Sequence, residues 1–169
     1  MWYVIWTLTG HEKELIDIIN EKVPKDMYIR AWSPVKEELR KYQGEETSVQ
    51  LMLFPGYVFI DTTQPKEVHE LLYRNKNYIG FLKCDDEFIS VSEGEKQIIS
   101  HFMGESDCAS ASLGVMENGT VLIIDGPLKG MEDKIVKIDR HKKKAWVLIP
   151  NLLGQDRKLS FALEVVEKH

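Results

Sequence analysis

A proline-glycine pair set between aromatic residues and an extended segment constrains the fold of this chain more than any other feature. In Leu53-Phe54-Pro55-Gly56-Tyr57-Val58-Phe59-Ile60, Pro55 fixes φ and Gly56 is free to take positive φ, so the backbone turns sharply before it extends. Strand alternation then puts Val58 and Ile60 on one face and Tyr57 and Phe59 on the other. A second signal of this kind lies downstream, where Val121-Leu122-Ile123-Ile124-Asp125 reads as a buried strand stopped by Gly126-Pro127.

The stretches around these signals change period along the chain. Trp2 to Leu8 alternates as a strand, with Trp2, Val4, Trp6 and Leu8 on one face. Thr9 and Glu12 have the spacing of a capping box, and Leu15, Ile18 and Ile19 form a helical stripe behind it, which predicts a helix to about Val23. Met27 to Trp32 reads as a strand, and Ser33 to Met52 as a charged hairpin or mobile loop with Gly44 near its tip. Pro65 opens a second helix with Val68, Leu71 and Leu72 on one face, Tyr78 to Lys83 reads as a short strand, and Ser92 with Glu95 opens a third helix carrying Ile98, Ile99, Phe102 and Met103. From Gly104 to Gly114 the composition turns to Ser, Ala, Gly and acidic residues without periodicity, which marks a linker. Beyond Glu117 only strands are suggested, at Thr120–Asp125, Lys134–Ile138, Lys144–Ile149 and Arg157–Leu163. The expected organisation is an α+β domain over 1–104, with an antiparallel sheet and flanking helices, a flexible linker over 105–115, and a small all-β barrel over 116–169. So small a barrel has a marginal core, which gives Trp146 a structural role.

Composition narrows the class. With 43% hydrophobic and 29% charged residues the chain is expected to be soluble and globular, and no apolar run approaches the roughly 20 residues of a membrane span. The chain is expected to start at Met1 without a signal peptide and to act in the cytoplasm, as a monomer. Residues 1–114 carry 12 Lys and Arg against 19 Asp and Glu, whereas 115–169 carry 10 against 8. An acidic first part argues against indiscriminate binding to phosphate backbones, so any nucleic-acid contact is expected to be local.

In order and spacing, the Trp2-Tyr3-Val4 start, the Pro-Gly turn, the Val121–Gly130 segment and Val165-Val166-Glu167-Lys168 at the end resemble the NusG family of transcription elongation factors over essentially the whole chain. The resemblance implies an N-terminal NGN domain and a C-terminal KOW barrel. It implies that the first domain docks on the clamp helices of the large RNA polymerase subunit through an aromatic cleft, and so suppresses pausing. Trp6, Phe54, Tyr57 and Phe59 match that cleft. Core packing is the other reading of aromatic residues on strands; it suits Trp2 and Val58, while Phe54 and Tyr57 beside a turn suit a surface. The KOW match departs from the family where its usual glycine falls on Asp133; aspartate tolerates the left-handed region better than most residues, which would keep the bend. It departs again where an apolar-Phe-Gly-Arg-x-Thr-Pro loop is replaced by Leu152-Leu153-Gly154-Gln155-Asp156-Arg157-Lys158. These departures are most similar to the LoaP group of specialised antiterminators, in which the KOW barrel is associated with RNA-hairpin recognition.

That resemblance makes the basic residues of the second part candidates for a nascent RNA hairpin: Lys129, Arg140, Lys142, Lys143, Lys144, Arg157 and Lys158. Arg140 to Lys144 with His141 reads either as an RNA surface or as a solvated turn. Arg74, Asn75, Lys76 and Asn77, after the second helix, are candidates for non-template DNA or, alternatively, a helix end stabilised by bases. Two alternatives stay open: a housekeeping elongation factor whose barrel binds protein partners, and a ribosome-associated KOW protein, against which the acidic first part counts. Catalysis is not expected. The five histidines and two cysteines show no His-x-x-x-His or Cys-x-x-Cys pattern, no phosphate or dinucleotide loop is present, and Asp85-Asp86-Glu87 reads as a solvated turn, so neither metal nor cofactor is expected.

Overall fold

The computed structural model describes residues 1–167; Lys168, in the last of the matching segments, and His169 lie outside the described residues. Among the described residues strands dominate, with three α-helices, and these residues pack as two compact units: Met1–Ser33 with Phe54–Glu93, and Pro34–Leu53 with 94–167.

The first unit is built on β1 (Trp2–Trp6), β2 (Tyr28–Trp32) and β5 (Tyr57–Thr62), which with β6 (Gly80–Phe81) form an antiparallel sheet in the order β2-β5-β1-β6. The register pairs Tyr3 with Ile60, Ile5 with Val58 and Trp6 with Tyr57. Alternation therefore sends Tyr3, Ile5, Val58 and Ile60 to one face, where Leu15 and Ile19 of α1 (Glu12–Lys22) and Val68 and Leu72 of α2 (Pro65–Leu72) cover them. Trp2, Trp6, Tyr57 and Phe59 point to the other face. A small hairpin, β7 (Lys83–Cys84) and β8 (Glu87–Phe88), turns through Asp85 and Asp86, both at positive φ.

The second unit contains the charged excursion, which is a hairpin of β3 (Val35–Tyr42) and β4 (Glu45–Met52) joined through Gln43 and Gly44, both at positive φ. Residues 105–115, expected as a linker, carry β9 (Cys108–Ala109), which pairs in parallel with β3, and the start of β10 (Ser112–Glu117). β10 joins β11 (Thr120–Asp125), β12 (Ile135–Asp139), β13 (Lys144–Leu152) and β14 (Gln155–Glu167) in a five-stranded sheet ordered β11-β10-β14-β13-β12. α3 (Glu93–Met103) packs here: the Phe102 and Phe161 ring centroids are 4.5 Å apart, and the Glu95 carboxylate accepts from the Leu153 amide at 2.6 Å. Gly126 is required by a close approach, since a Cβ there would lie 2.5 Å from Ser112 Cα. Asp133 does not take the left-handed conformation expected of it; it lies in a 3-10 turn over Glu132–Lys134, where the Lys134 amide bonds Met131.

Candidate functional site

An aromatic row crosses the face of the first sheet that the helices leave. Trp2 meets Trp32 edge-on at 4.9 Å, Trp32 stacks on Phe59 at 5.7 Å, Phe59 meets Phe54 at 5.9 Å, Phe54 stacks on Tyr57 at 6.2 Å, and Tyr57 meets Trp6 at 6.3 Å. Such ring pairs contribute beyond their buried area. Burial divides the row: Trp32, Phe54 and Phe59 are buried, Tyr57 is half-buried, and Trp6 is 39% exposed. Phe54 therefore does not lie at the surface, as its place beside the turn led one to expect; its ring is turned inward between Tyr57 and Phe59. Of the four aromatic residues matched to the cleft, Trp6 and Tyr57 offer surface, while Phe54 packs against Tyr57 and buried Phe59 packs in turn against Phe54. Leu8 and Ile79 are also exposed, and the Ile79 amide donates to the Trp6 carbonyl at 3.0 Å, so Ile79 extends the apolar surface beside Trp6. Ile79 was missed in sequence because it lies between helix α2 and the two-residue β6, where no period is long enough to assign a face.

The turn that carries Tyr57 is held by a buried carboxylate. Glu12 does not form the expected capping box with Thr9: the helix N-cap is His11, without a side-chain cap. Glu12 instead accepts from the Gly10 amide at 3.0 Å and from the Gly56 amide at 2.8 Å. Gly56, at φ +82°, also accepts from the Thr7 amide at 2.9 Å, and a Cβ on it would lie 2.9 Å from the Thr7 carbonyl oxygen. Strand β1, helix α1 and the Pro-Gly turn are thus locked together behind Tyr57.

The basic residues of the second unit fall into separate places. Arg140, Lys142, Lys143 and Lys144 share the β12–β13 turn, where Asp139 caps the Lys142 amide at 2.9 Å and Lys143 takes positive φ. Arg140 pairs with Glu167 at 3.1 Å, Lys143 with Glu46 at 2.7 Å, and Lys144 with Glu38. Arg157 instead donates to the Leu152 carbonyl at 2.8 Å, and Lys158 lies opposite Leu148, four residues along β13 from Lys144. Lys129 reaches the Ile123 carbonyl on β11, which three strands separate from β12 in the sheet order. The structure brings together the four turn residues and leaves Lys129, Arg157 and Lys158 apart from them. Beyond α2, Arg74 and Lys76 are exposed, Asn75 accepts from the Asn77 amide at 3.0 Å, and Asn77 is buried with its side chain donating to Glu14 at 3.2 Å. The two asparagines are thus occupied in building the loop.

Glu38 is buried on the hairpin, and its carboxyl is shifted. Burial raises its carboxyl, but hydrogen bonds from Lys144 and Arg40 outweigh that and hold it below the usual carboxylate range. Neighbouring Lys36, pushed down by burial, donates to the Ser160 carbonyl at 2.9 Å and to its hydroxyl at 2.7 Å. Cys84 and Cys108 are free thiols. No helix among the described residues is long and apolar enough to cross a membrane.

Comparison with known proteins matches residues 1–100 to the family model described as transcription termination factor nusG. The transcription termination/antitermination protein NusG of Bacillus subtilis is 24% identical over 174 residues, covering 99% of this chain and 97% of that protein. The protein of the same name from Thermus thermophilus is 24% identical over 181 residues with the same coverage. A solved structure titled "Domain interaction in Thermotoga maritima NusG" superposes with a TM-score of 0.62 over 96% of this chain and 92% of that chain, at 24% identity, which is a likeness of fold.

Proposed function

The chain belongs to the NusG family of transcription factors, and from that premise we propose that it is an antiterminator that binds RNA polymerase through the Trp6–Tyr57 surface and a nascent RNA stem-loop through the β12–β13 turn. In this reading residues 1–104 are the NGN domain, 116–169 are the KOW domain, and the factor belongs with the specialised LoaP-like paralogues. The observation that carries it is the open end of the aromatic row, where Trp6 at the end of β1 is exposed with Ile79 bonded beside it and Leu8 two residues further on is exposed as well. Aromatic residues packed beneath a contact surface and exposed at its end are the usual make-up of an interface hot spot. The clamp helices of polymerase are the partner the family offers for it.

Replacing Tyr57 by Ala is expected to weaken polymerase binding by roughly 2 kcal/mol, a factor of about 30, while the loss of its ring contacts lowers stability without unfolding the chain. Fluorescence anisotropy with core polymerase measures it. Unchanged affinity in the folded variant would return Trp6 and Tyr57 to a packing role.

The RNA contact is supported by four basic residues gathered at one turn, Arg140 and Lys142 exposed and Lys143 and Lys144 partly so, a density suited to the phosphates and 2′-hydroxyls of a shallow minor groove. Equal, weak binding to a leader stem-loop and to its scrambled sequence would leave the turn as part of a protein-binding module, as in a housekeeping factor. Arg74 and Lys76 are the candidates for non-template DNA, tested by crosslinking from these two positions in a paused complex.

A further inference from the structure

Two lysines of the basic turn are held by carboxylates of the β3–β4 hairpin, and the two pairs differ in kind. Glu38 has only 9% of its side chain exposed and is shared by Lys144 and by Arg40, whose Nε donates to it at 2.6 Å. Removing a partner from so enclosed a pair strands a charge. Glu46 and Lys143 are 38% and 27% exposed at their side chains, and Lys143 also lies 3.8 Å from Glu164. A pair this open to water contributes little to stability and exchanges readily. Both pairs themselves line a groove of about 430 Å³, together with Arg40 and Lys41 of the hairpin and His141 and Lys142 of the turn. A polyanion entering this groove meets Lys143 already paired.

We propose that Glu46 is an internal competitor for RNA phosphate at Lys143: the hairpin holds the lysine in the free protein, and a phosphate of bound RNA takes the place of the Glu46 carboxylate. This rests on the reading of the β12–β13 turn as an RNA surface. Both anions make a charge-assisted hydrogen bond to the ammonium group, so geometry alone does not favour the exchange. Phosphate wins because neutralising it releases condensed counterions from the RNA, which an isolated carboxylate does not do. Lys144 stays anchored to Glu38, keeping the turn in place while Lys143 changes partner. The hairpin thereby sets the affinity threshold of the surface, admitting densely charged RNA and discouraging weaker anions.

The test is a double-mutant cycle on the full chain, with a fluorescein-labelled RNA stem-loop as probe and thermal melting to verify folding. Glu46→Gln is expected to tighten binding about two- to five-fold, the strength of an exposed ion pair. That gain is expected to vanish when Lys143→Ala is also present, while Glu45→Gln, which removes the same charge one residue away, gives a smaller change. A Glu46→Gln gain that survives in the Lys143→Ala background, or one matched by Glu45→Gln, reflects the general charge of the hairpin and overturns the proposal. Binding that weakens with Arg140→Ala and Lys142→Ala but ignores Glu46→Gln overturns the competitor role and keeps the RNA surface. Absence of stem-loop binding by the wild-type chain overturns both.

Discussion

Gly56 and Glu12 decide whether Tyr57 stands where a partner can meet it. A methyl group on Gly56 would press on the Thr7 carbonyl oxygen at 2.9 Å, and the residue's φ of +82° is strained for any L side chain. Gly56→Ala is therefore expected to destabilise the fold by about 2 kcal/mol, read from chemical denaturation. Glu12→Ala leaves the Gly10 and Gly56 amides without their acceptor at an expected cost of about 2 kcal/mol. No loss of stability in either variant would show that the turn is held by other contacts. The residue chemistry of this turn was half legible in sequence. Pro55-Gly56 announced the turn, and Glu12 stood out as a capping residue, but besides the nearby Gly10 amide it holds the Gly56 amide 44 positions away. Local spacing cannot distinguish a carboxylate that caps its own helix from one that reaches a distant amide.

At the scale of elements, alternation and helical stripes located the central strands and all three helices, because each carries a buried face with a regular period. The same reasoning read the charged segment from Ser33 to Met52 as a hairpin or mobile loop, and it is a hairpin turning at Gly44, but the reasoning could not say what the hairpin packs against. Its β3 strand reads as solvated because Lys36, Glu38 and Arg40 alternate with Val35, Glu37 and Leu39, yet Lys36 and Glu38 are turned toward β13 and β14. Charged side chains go inward when each finds its partner there, and those partners lie more than a hundred residues downstream. The pairing has a pH signature. Glu38 faces Lys144, Arg40 and Lys36, and a carboxyl held below its ordinary range contributes stability that is complete above about pH 4.3 and is lost as pH falls through the depressed value. Glu38→Gln is expected to cost about 1–3 kcal/mol near neutral pH and progressively less toward acid, as the wild-type carboxyl protonates. A difference that stays constant from neutral pH down to about pH 3 would contradict an ionised Glu38.

For the molecule as a whole, the family could be read from the order of its turn and strand signals, and the match over residues 1–100 bears that reading out. The placing of its functional groups was less legible. Seven basic residues close in sequence or linked by an inferred hairpin suggested one surface; the strand register gathers four and sends Arg157 and Lys158 along β14, because a four-residue offset on a strand is about 13 Å. The aromatic signature likewise mixed support with surface, since Phe54 and Phe59 are buried while Trp6 is exposed. The proposed antiterminator needs both surfaces on one chain: an apolar one to stay on polymerase and a basic one to choose the transcript. The most direct test is in vitro transcription across a terminator, with and without an upstream leader stem-loop, comparing the wild-type chain with Tyr57→Ala and with the Arg140→Ala, Lys142→Ala double variant. Readthrough should rise with the wild-type chain, collapse with Tyr57→Ala on both templates, and lose only its leader dependence in the double variant. Readthrough that is undiminished by Tyr57→Ala in a folded protein would contradict the assignment of the Trp6–Tyr57 surface to RNA polymerase.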